Sequence, residues 1–284
     1  MMNESELILN TDGSIYHLNL LPEDIAPTVI TVGDPERVEA VSKYFDRIEL
    51  KKGKREFVTH TGYIGAKRVS VISTGIGTDN IDIVMNELDA LVNIDFHSRT
   101  VRSDLVSLDI IRIGTSGAIQ PDIGVGTILA SAFAVGFDGL LPYYKLESST
   151  SEDRIQTEIE RQFPAMGFRP YVAEASQSLL NRIGRSLPRG ITMTAPGFYG
   201  PQGRMLRIES RFPELLDLAT QFRSDDHRMT NLEMETAGIY GMARLMDHQA
   251  LSINAILANR VKGEFSAAPQ HLIARTITYV LERL

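Results

Sequence analysis

The sequence has 284 residues, of which 43% are hydrophobic and 23% charged, with a formal net charge of -7 and no cysteine. This composition is that of an ordinary globular protein with a sizeable core, and it excludes disulfides, zinc-thiolate sites and cysteine nucleophiles. The acidic balance argues against a nucleic-acid partner, because binding to a polyanion requires a basic surface.

Short β-rich runs alternate with longer helical patterns along the chain. Helices are predicted over 35–45, 80–91 and 269–284, and strands over TVITVG, RVSVISTG, DIIRIG, TILASAFAV, GITMT and ALSINAILA. This alternation predicts an α/β fold with a mainly parallel or mixed sheet wrapped by helices. No linker-like stretch divides the chain, so we expect one domain over residues 1–284. The segment 93–108 has weaker periodicity and is expected to be a surface excursion or part of a subunit contact.

The start of the chain does not resemble a secretory leader, since no basic segment precedes an apolar core. No apolar run has the length of a membrane span either. We therefore expect a cytoplasmic protein without a membrane partner.

Two glycine-rich turns follow predicted strands. In TVITVGDPERV, Gly33 precedes a predicted N-cap, Asp34, and a proline at the first helical position, so its amides could bind an anion with help from Arg37. The alternative is a well-capped helix with a solvated arginine. The second turn, STGIGTDN, is neither a Walker loop nor a dinucleotide fingerprint, and Gly75 and Gly77 could serve only a tight turn.

An arginine interrupts the apolar strand DIIRIGTSGAIQ. A guanidinium taken out of water costs several kcal/mol unless an anion receives it, so Arg112 requires a partner that the strand cannot supply. We expect Gly114 and Gly117 to end the strand, which would place Arg112 and Thr115 at its carboxyl end, where α/β sheets bind ligands. An arginine and a hydroxyl suit phosphate. An internal salt bridge to Asp109, Asp122 or Glu235 is the alternative.

The segment TNLEMETAG carries two carboxylates, Glu233 and Glu235, on either side of Met234. In an extended segment they would share a face, as in a paired-carboxylate glycosidase. The alternative is a solvated pair before a helix. The six histidines show no metal-ligand spacing, so no metal site is expected, and no G-x-S-x-G motif offers a serine nucleophile.

The motifs VGDPER, KREF, STGIG, RIGTSGAIQ, FYGPQGR and NLEMETAG follow one another in this order. Together they resemble the nucleoside phosphorylase family of the uridine phosphorylase type, over residues 17–260. The resemblance implies one α/β domain with a central mixed sheet and a partial barrel flanked by helices. It also implies a pentosyltransferase of pyrimidine salvage that converts uridine and phosphate reversibly to uracil and ribose 1-phosphate. Inorganic phosphate is then a substrate and no cofactor is implied.

The resemblance assigns a phosphate site to Gly33, Arg37, Arg55, Arg112 and Thr115. Arg55 of KREF would come from a neighbouring subunit. On this assignment the missing partner of Arg112 is the substrate anion.

A ribose site is implied at Thr115, Met234, Glu235 and His17, with His17 lent by a neighbour to the 5′ hydroxyl. The family would then act as a homodimer with a shared active site or as a hexamer of dimers. Glu235 would be catalytic, because its hydrogen bonds to the ribose hydroxyls strengthen as the sugar becomes oxocarbenium-like.

A base site is implied at Phe198, which would stack on uracil, and at Gln202 and Arg204, which would read its polar edge. Arg112, Gln202 and Arg204 join Glu235 as catalytic residues, since they stabilise phosphate or the departing base anion. Purine-cleaving relatives place an aspartate after a late strand, where ILANR has Asn259 here. The alternatives are a purine nucleoside phosphorylase or nucleosidase of the same superfamily, and a non-catalytic nucleoside-binding protein.

Overall fold

A computed structural model describes residues 1–164 and 166–284, and these residues form two compact units. The first unit consists of Met1–Ile111 and Met242–Gln249, and the second of Arg112–Gly241 and Ala250–Leu284. The expectation of one domain over residues 1–284 stays a prediction. Among the described residues, no helix is both long and apolar enough to cross a membrane.

The first unit contains a mixed sheet with the strand order β1 (Thr28–Val32), β4 (Lys67–Ser73), β3 (Phe57–Ile64) and β2 (Arg47–Lys54). Strands β1 and β4 are parallel, and the other two pairings are antiparallel. The sheet confirms the two predicted strands and adds a hairpin, β2 and β3, that the sequence did not predict. Its elements are β1 (Thr28–Val32), α1 (Pro35–Ser42), β2 (Arg47–Lys54), β3 (Phe57–Ile64), β4 (Lys67–Ser73), α2 (Thr78–Asn93), β5 (Ile94–Asp95) and β6 (Thr100–Val101).

The two helices of this unit begin close to where the sequence predicts them. The Asp34 side chain caps α1 by accepting from the backbone N–H of Glu36 at 2.9 Å, and Pro35 occupies the first turn, as predicted. Helix α1 ends at Ser42, three residues before the predicted end, whereas α2 extends two residues beyond its prediction at each end. The segment 93–108 contains the short β5-β6 pair, and most of its residues are exposed.

The second unit is built around a barrel, with helices packed outside it. The remaining elements are β7 (Asp109–Ala118), β8 (Ile128–Gly136), α3 (Thr150–Gln162), β9 (Tyr171–Glu174), α4 (Gln177–Arg182), β10 (Arg189–Thr194), α5 (Leu215–Gln221), β11 (Arg223–Ser224), β12 (His227–Glu233), α6 (Thr236–Leu245), β13 (Gln249–Asn259), β14 (Glu264–Phe265) and α7 (Pro269–Leu281). Of these, the first residues of β7, the last residues of α6 and the first residue of β13 belong to the first unit. A short 3-10 turn over Gly200–Gln202 lies between β10 and α5.

Five strands close the barrel in the order β7-β12-β10-β8-β13. Strands β8, β10 and β12 are parallel, while β7 and β13 run antiparallel to their neighbours β12 and β8. The α/β class and the mixed sheet with a barrel flanked by helices are thus confirmed, and the barrel is complete. Gly136, Thr194 and Glu233 are in register at the carboxyl ends of the parallel strands, which is the edge where α/β sheets bind ligands.

Strand β7 corrects two expectations. It runs through both glycines to Ala118, and Arg112 is therefore its fourth residue and does not lie at its carboxyl end. The glycines belong inside the strand because arginine side chains lie across them. A Cβ on Gly114 would fall 1.6 Å from Arg112 Nη1, and one on Gly117 would fall 3.2 Å from Arg260 Cγ. Because β7 is antiparallel to β12, its first residues nevertheless lie toward the carboxyl end of β12.

Candidate active site

Arg112 forms a buried ion cluster with both carboxylates of the NLEMETAG motif. Its Nη2 lies 2.9 Å from Glu233 Oε2 and 2.5 Å from Glu235 Oε2. The three residues are only 5%, 4% and 6% exposed. On the other nitrogen, Nη1 makes longer hydrogen bonds to Ser252 Oγ at 3.4 Å and Asn254 Oδ1 at 3.3 Å. The partner that the buried guanidinium requires is therefore supplied by β12, the turn after it and β13.

This geometry agrees with the salt-bridge alternative for Glu235 and adds Glu233 as a second carboxylate. A solvated pair is wrong, because both carboxylates are buried. Burial lowers the pKa of Arg112, but the charges of Glu233 and Glu235 raise it by more, and its pKa lies above the ordinary value. With one cation and two carboxylates, the cluster carries a formal charge of -1.

The two carboxylates have different neighbours. Glu233 accepts from Thr194 Oγ1 at 2.7 Å and from the backbone N–H groups of Glu235 and Thr236 at 3.0 Å. These N–H groups lie at the start of helix α6, where no preceding helical carbonyl is available to accept from them. Glu233 is their acceptor instead. Glu233 therefore anchors the turn in addition to pairing with Arg112, whereas Glu235 lies within that turn and pairs with Arg112 from there.

A polar network inside the barrel supports the cluster. Asn254 donates to Ser131 Oγ at 3.0 Å and to Ser252 Oγ at 3.2 Å, and Thr236 donates to the same Ser252 oxygen at 3.0 Å. Sequence reasoning did not identify Ser252 or Asn254 as site residues. A pattern in the sequence does indicate them. They are the two polar residues of the otherwise apolar run ALSINAILA, and because they occupy alternate positions they face the same side of β13.

Two of the three other residues predicted for the ribose site lie next to the cluster in sequence. Thr115 is half-buried within β7, three residues after Arg112, and Met234 is half-buried between Glu233 and Glu235. Ser116 is buried and accepts from Asn231 Nδ2 at 3.0 Å, which leaves Thr115 as the more accessible of the two hydroxyls.

The three residues predicted to bind the base lie together. The Arg204 guanidinium carbon is 3.8 Å from the centroid of the exposed Phe198 ring, and Arg204 Nη1 donates to the Phe198 carbonyl at 2.7 Å. Arg204 Nη1 also donates to Gln202 Oε1 at 2.5 Å. A guanidinium is donor-only, so this bond fixes which end of the buried Gln202 amide faces it. The amide nitrogen of Gln202 is consequently directed elsewhere.

Arg260, which sequence reasoning did not assign to the site, holds the same turn. Its Nη1 donates to the Gln202 carbonyl at 3.0 Å. Burial and the charge of Arg260 lower the pKa of Arg204 to about 10, so that Arg204 is cationic at neutral pH. Burial also lowers the pKa of Arg260. Two arginines thus lie at the site that the sequence predicts for the base.

Asn259 has a structural part at the end of β13. Its Nδ2 donates to the carbonyls of Gln120 and Ile123 at 2.9 Å, and its Oδ1 accepts from the N–H groups of Val261 and Lys262 at 3.0 and 2.9 Å. The side chain is fully used in holding this loop, and an amide has no acidic proton to transfer at neutral pH.

The first unit carries the other residues predicted for phosphate. Gly33 follows β1 directly, and a Cβ there would lie 3.4 Å from the Gly75 carbonyl, so the two glycine turns are neighbours. Arg37 is half-buried in α1. Arg55 is exposed at the two-residue turn between β2 and β3 and has a left-handed φ of 56°. That φ is uncommon for a residue with a side chain and is often found at functional sites.

His17 lies in the first unit and contacts helix α2. Its Nδ1 is 2.6 Å from Glu87 Oε1, and its ring makes an edge contact with Tyr16 at 4.7 Å between centroids. Among the described residues, no group of three or more His, Asp and Glu side chains is arranged to hold a metal ion.

A family model described as the phosphorylase superfamily matches residues 27–282. The uridine phosphorylase of Thermococcus kodakarensis is 33% identical over 261 residues, covering 90% of this chain and 82% of that protein. The uridine phosphorylase of Haemophilus influenzae is 30% identical and covers 88% of each chain. The crystal structure of a Trypanosoma brucei nucleoside phosphorylase, described as showing uridine phosphorylase activity, matches with a TM-score of 0.90 and 27% identity over 98% of this chain and 99% of that one.

Proposed function

The chain belongs to the phosphorylase superfamily, and from this premise we propose that it is a uridine phosphorylase. It catalyses the reversible transfer of the ribosyl group from uridine to phosphate, giving uracil and ribose 1-phosphate, which is a reaction of pyrimidine salvage. The assignment of uracil as the base rests on the orientation of the Gln202 amide, which its bond to Arg204 fixes beside Phe198.

The polar atoms of this group match the edge of uracil. Uracil presents the O4 acceptor, the N3–H donor and the O2 acceptor in a row. Gln202 offers an N–H donor next to its carbonyl acceptor, and Arg204 offers only donors. The amide therefore pairs with N3–H and one ring carbonyl while Arg204 serves the other, and the exposed Phe198 ring supplies an apolar face for stacking.

The end of β13 disfavours purine nucleosides. A purine leaves more easily when its ring is protonated, which requires an acid near the imidazole nitrogens. Asn259 occupies the corresponding position of the family motif, and its amide is bonded to four backbone groups. This residue cannot supply a proton, so we expect inosine to be a much poorer substrate than uridine.

Charge at the Arg112 cluster suits the breaking of the glycosidic bond. As the C1′–N1 bond lengthens, positive charge develops on the sugar, and we propose that Met234 packs on it while Glu235 and Thr115 bind its hydroxyls. The formal charge of -1 on the cluster favours this oxocarbenium character. The bonding pair leaves with uracil, and Gln202 and Arg204 stabilise the resulting anion.

Phosphate requires more cations than the cluster offers. Arg112 is already paired with Glu233 and Glu235, so it can orient a phosphate oxygen but does not alone offset a dianion. Gly33, Arg37 and Arg55 stay the predicted remainder of the phosphate site. Phosphate oxygen attacks C1′ from the face opposite the base, and no protein nucleophile takes part.

We also propose that the active form is a homo-oligomer, either a homodimer with a shared active site or a hexamer of such dimers. The proposal rests on the family resemblance of His17 and Arg55 to residues lent by a neighbour. Mixing two variants with low activity tests it. Arg55→Met and Gln202→Leu chains, unfolded and refolded together, should regain activity, because half of the mixed sites would contain both native residues. Failure of the mixture to exceed either variant would refute the sharing. The cytoplasmic location stays a prediction.

The decisive assay measures base release from uridine, thymidine and inosine, each with and without phosphate. We expect phosphate-dependent release of uracil, with inosine slower by a large factor. Faster release of hypoxanthine would identify a purine phosphorylase. Release without phosphate would identify a nucleosidase, and nucleoside binding without any release would identify a binding protein.

A further inference from the structure

One carboxylate, that of Glu87 on helix α2, fixes the loop that carries His17. Glu87 accepts from the backbone N–H of His17 at 3.0 Å and from that of Leu18 at 2.8 Å. Both of these bonds use Oε2, whereas Oε1 lies 2.6 Å from His17 Nδ1 and also accepts from the His17 backbone N–H at 3.1 Å. Oε2 thus faces the backbone, and Oε1 is the oxygen that reaches the imidazole ring.

The loop has anchors that do not involve the ring. Lys54 Nζ donates to the Tyr16 carbonyl at 2.6 Å and to Asn10 Oδ1 at 2.9 Å, and it lies 4.2 Å from the centroid of the Tyr16 ring. Leu18 and Leu20 are fully buried. The loop is therefore held in place by packing, by Lys54 and by the backbone bonds to Glu87. The bond from Glu87 to His17 Nδ1 is not needed for that purpose.

That additional bond determines which ring nitrogen carries the proton. An ionised carboxylate only accepts hydrogen bonds, so Nδ1 must be the protonated nitrogen and Nε2 of the neutral ring is an acceptor. Within the part of the chain that the structure describes, Nε2 has no hydrogen-bond partner, and the side chain is 25% exposed. The ring is thereby prepared to accept one hydrogen bond from outside its own chain.

We propose that Glu87 is a positioning residue that sets the tautomer and orientation of His17, so that Nε2 accepts a hydrogen bond from the 5′ hydroxyl of the nucleoside. This inference rests on the proposed function, and in particular on the assignment of His17 to the 5′ hydroxyl. It makes Glu87 a determinant of sugar specificity, because it favours nucleosides that keep a 5′ hydroxyl over those that lack it.

Glu87→Gln is the sharpest perturbation, because only Oε1 contacts the ring and only Oε2 accepts from the Leu18 N–H. The backbone N–H groups require the remaining amide oxygen, which leaves the amide NH₂ facing His17 Nδ1. That nitrogen must then accept, and the proton moves to Nε2. The tautomer is inverted while the two backbone bonds to the Oε2 position are kept, so the substitution separates the effect on the ring from most of the effect on the loop.

The test compares uridine with 5′-deoxyuridine, which lacks the group that His17 would contact. We expect Glu87→Gln to lower the kcat/KM ratio of uridine to 5′-deoxyuridine about fivefold, the scale of one hydrogen bond. Turnover of 5′-deoxyuridine should stay within about twofold of the wild-type value. His17→Ala should lower the same ratio, and Glu87→Gln should add no further loss of preference in that background. Asp82→Asn, on the same helix, is the matched control and should leave the ratio unchanged.

Spectra of protein labelled with ¹⁵N-histidine provide a second measurement that does not depend on activity. Wild-type His17 should show the Nδ1–H tautomer, and Glu87→Gln should show Nε2–H. An equal loss on both nucleosides, or an Nε2–H tautomer in the wild type, would overturn the inference. If wild-type protein releases no uracil from uridine, the proposed function itself fails, which the first arm of the assay reveals before any variant is compared.

Discussion

Replacing Arg112 tests whether the buried cluster holds the protein together. Arg112→Met would leave Glu233 and Glu235 buried without a cation, and removal of one partner from a buried pair typically costs about 3–5 kcal/mol. A domain of this size loses about 2–4 °C in Tm per kcal/mol, so we expect a fall of roughly 6–20 °C. Arg228→Met is the matched control, since Arg228 pairs with the largely exposed Asp122 at 2.5 Å and such pairs contribute about 1 kcal/mol or less.

Urea and thermal unfolding measure these differences, and a double variant identifies their origin. In the Glu235→Gln background only Glu233 remains as an unpaired charge, so Arg112→Met should cost less there than in the wild type. If Arg112→Met lowers the free energy of unfolding by no more than Arg228→Met does, the buried cluster does not stabilise the protein as its geometry indicates. Equal costs in the two backgrounds would show that Glu235 and Arg112 are not energetically coupled.

The same variant tests catalysis when it is assayed well below its Tm. We expect turnover to fall about a hundredfold or more and the phosphate requirement to rise, which is the scale of losing one electrostatic contact to a transition state. Wild-type phosphate kinetics in Arg112→Met would remove Arg112 from the phosphate site while leaving its part in stability intact.

Three further changes test separate features. Gln202→Leu should lower kcat/KM for uridine roughly 10–100-fold, the scale of one or two hydrogen bonds involving a charged partner, and unchanged uridine kinetics would exclude this amide from base recognition. Gly114→Ala should lower Tm by several degrees because its Cβ would fall 1.6 Å from Arg112 Nη1, whereas Gly124→Ala, with open space around it, should not. Burial lowers the pKa of His248 despite the opposing effect of nearby acids, so below pH 6.5 the unfolded chain binds more protons there than the folded one. The free energy of unfolding should therefore decline as pH falls below about 6.5, and His248→Gln should make that decline less steep. The same pH dependence in the wild type and the variant would show that His248 is not its source.

Much of the fold could be predicted because the strands are short apolar runs separated by helix signals. Strand β1 and helix α1 illustrate this, since the apolar run, Asp34 and Pro35 fix where one ends and the other begins. The hairpin of β2 and β3 was missed because β2, RIELKKGK, is an edge strand whose charged residues follow no apolar core pattern. Its burial alternates between exposed and half-buried, which is weak evidence of a strand without its partner.

The glycines of β7 show why local rules misplace the strand's end. Gly114 and Gly117 would normally interrupt a strand, and only the folded structure shows that Arg112 and Arg260 lie across them. Arg260 is more than a hundred residues away in sequence, so no local pattern could reveal that a side chain fills the space above Gly117. The requirement that Arg112 have a partner was predictable from desolvation alone. The identity of both partners was not.

The cluster also shows how folding and chemistry share the same charges in the second unit. Glu233 and Glu235 can be buried only because Arg112 compensates them, and together the three groups retain one net negative charge. Under the proposed function, a site with that formal charge would resist phosphate but favour a sugar that is becoming cationic, so we expect its contribution to catalysis to be greatest after the glycosidic bond has begun to break. Arg112, which β7 could not accommodate by packing alone, thus allows two carboxylates inside the barrel, and under the proposed function it also reduces their repulsion of the phosphate substrate.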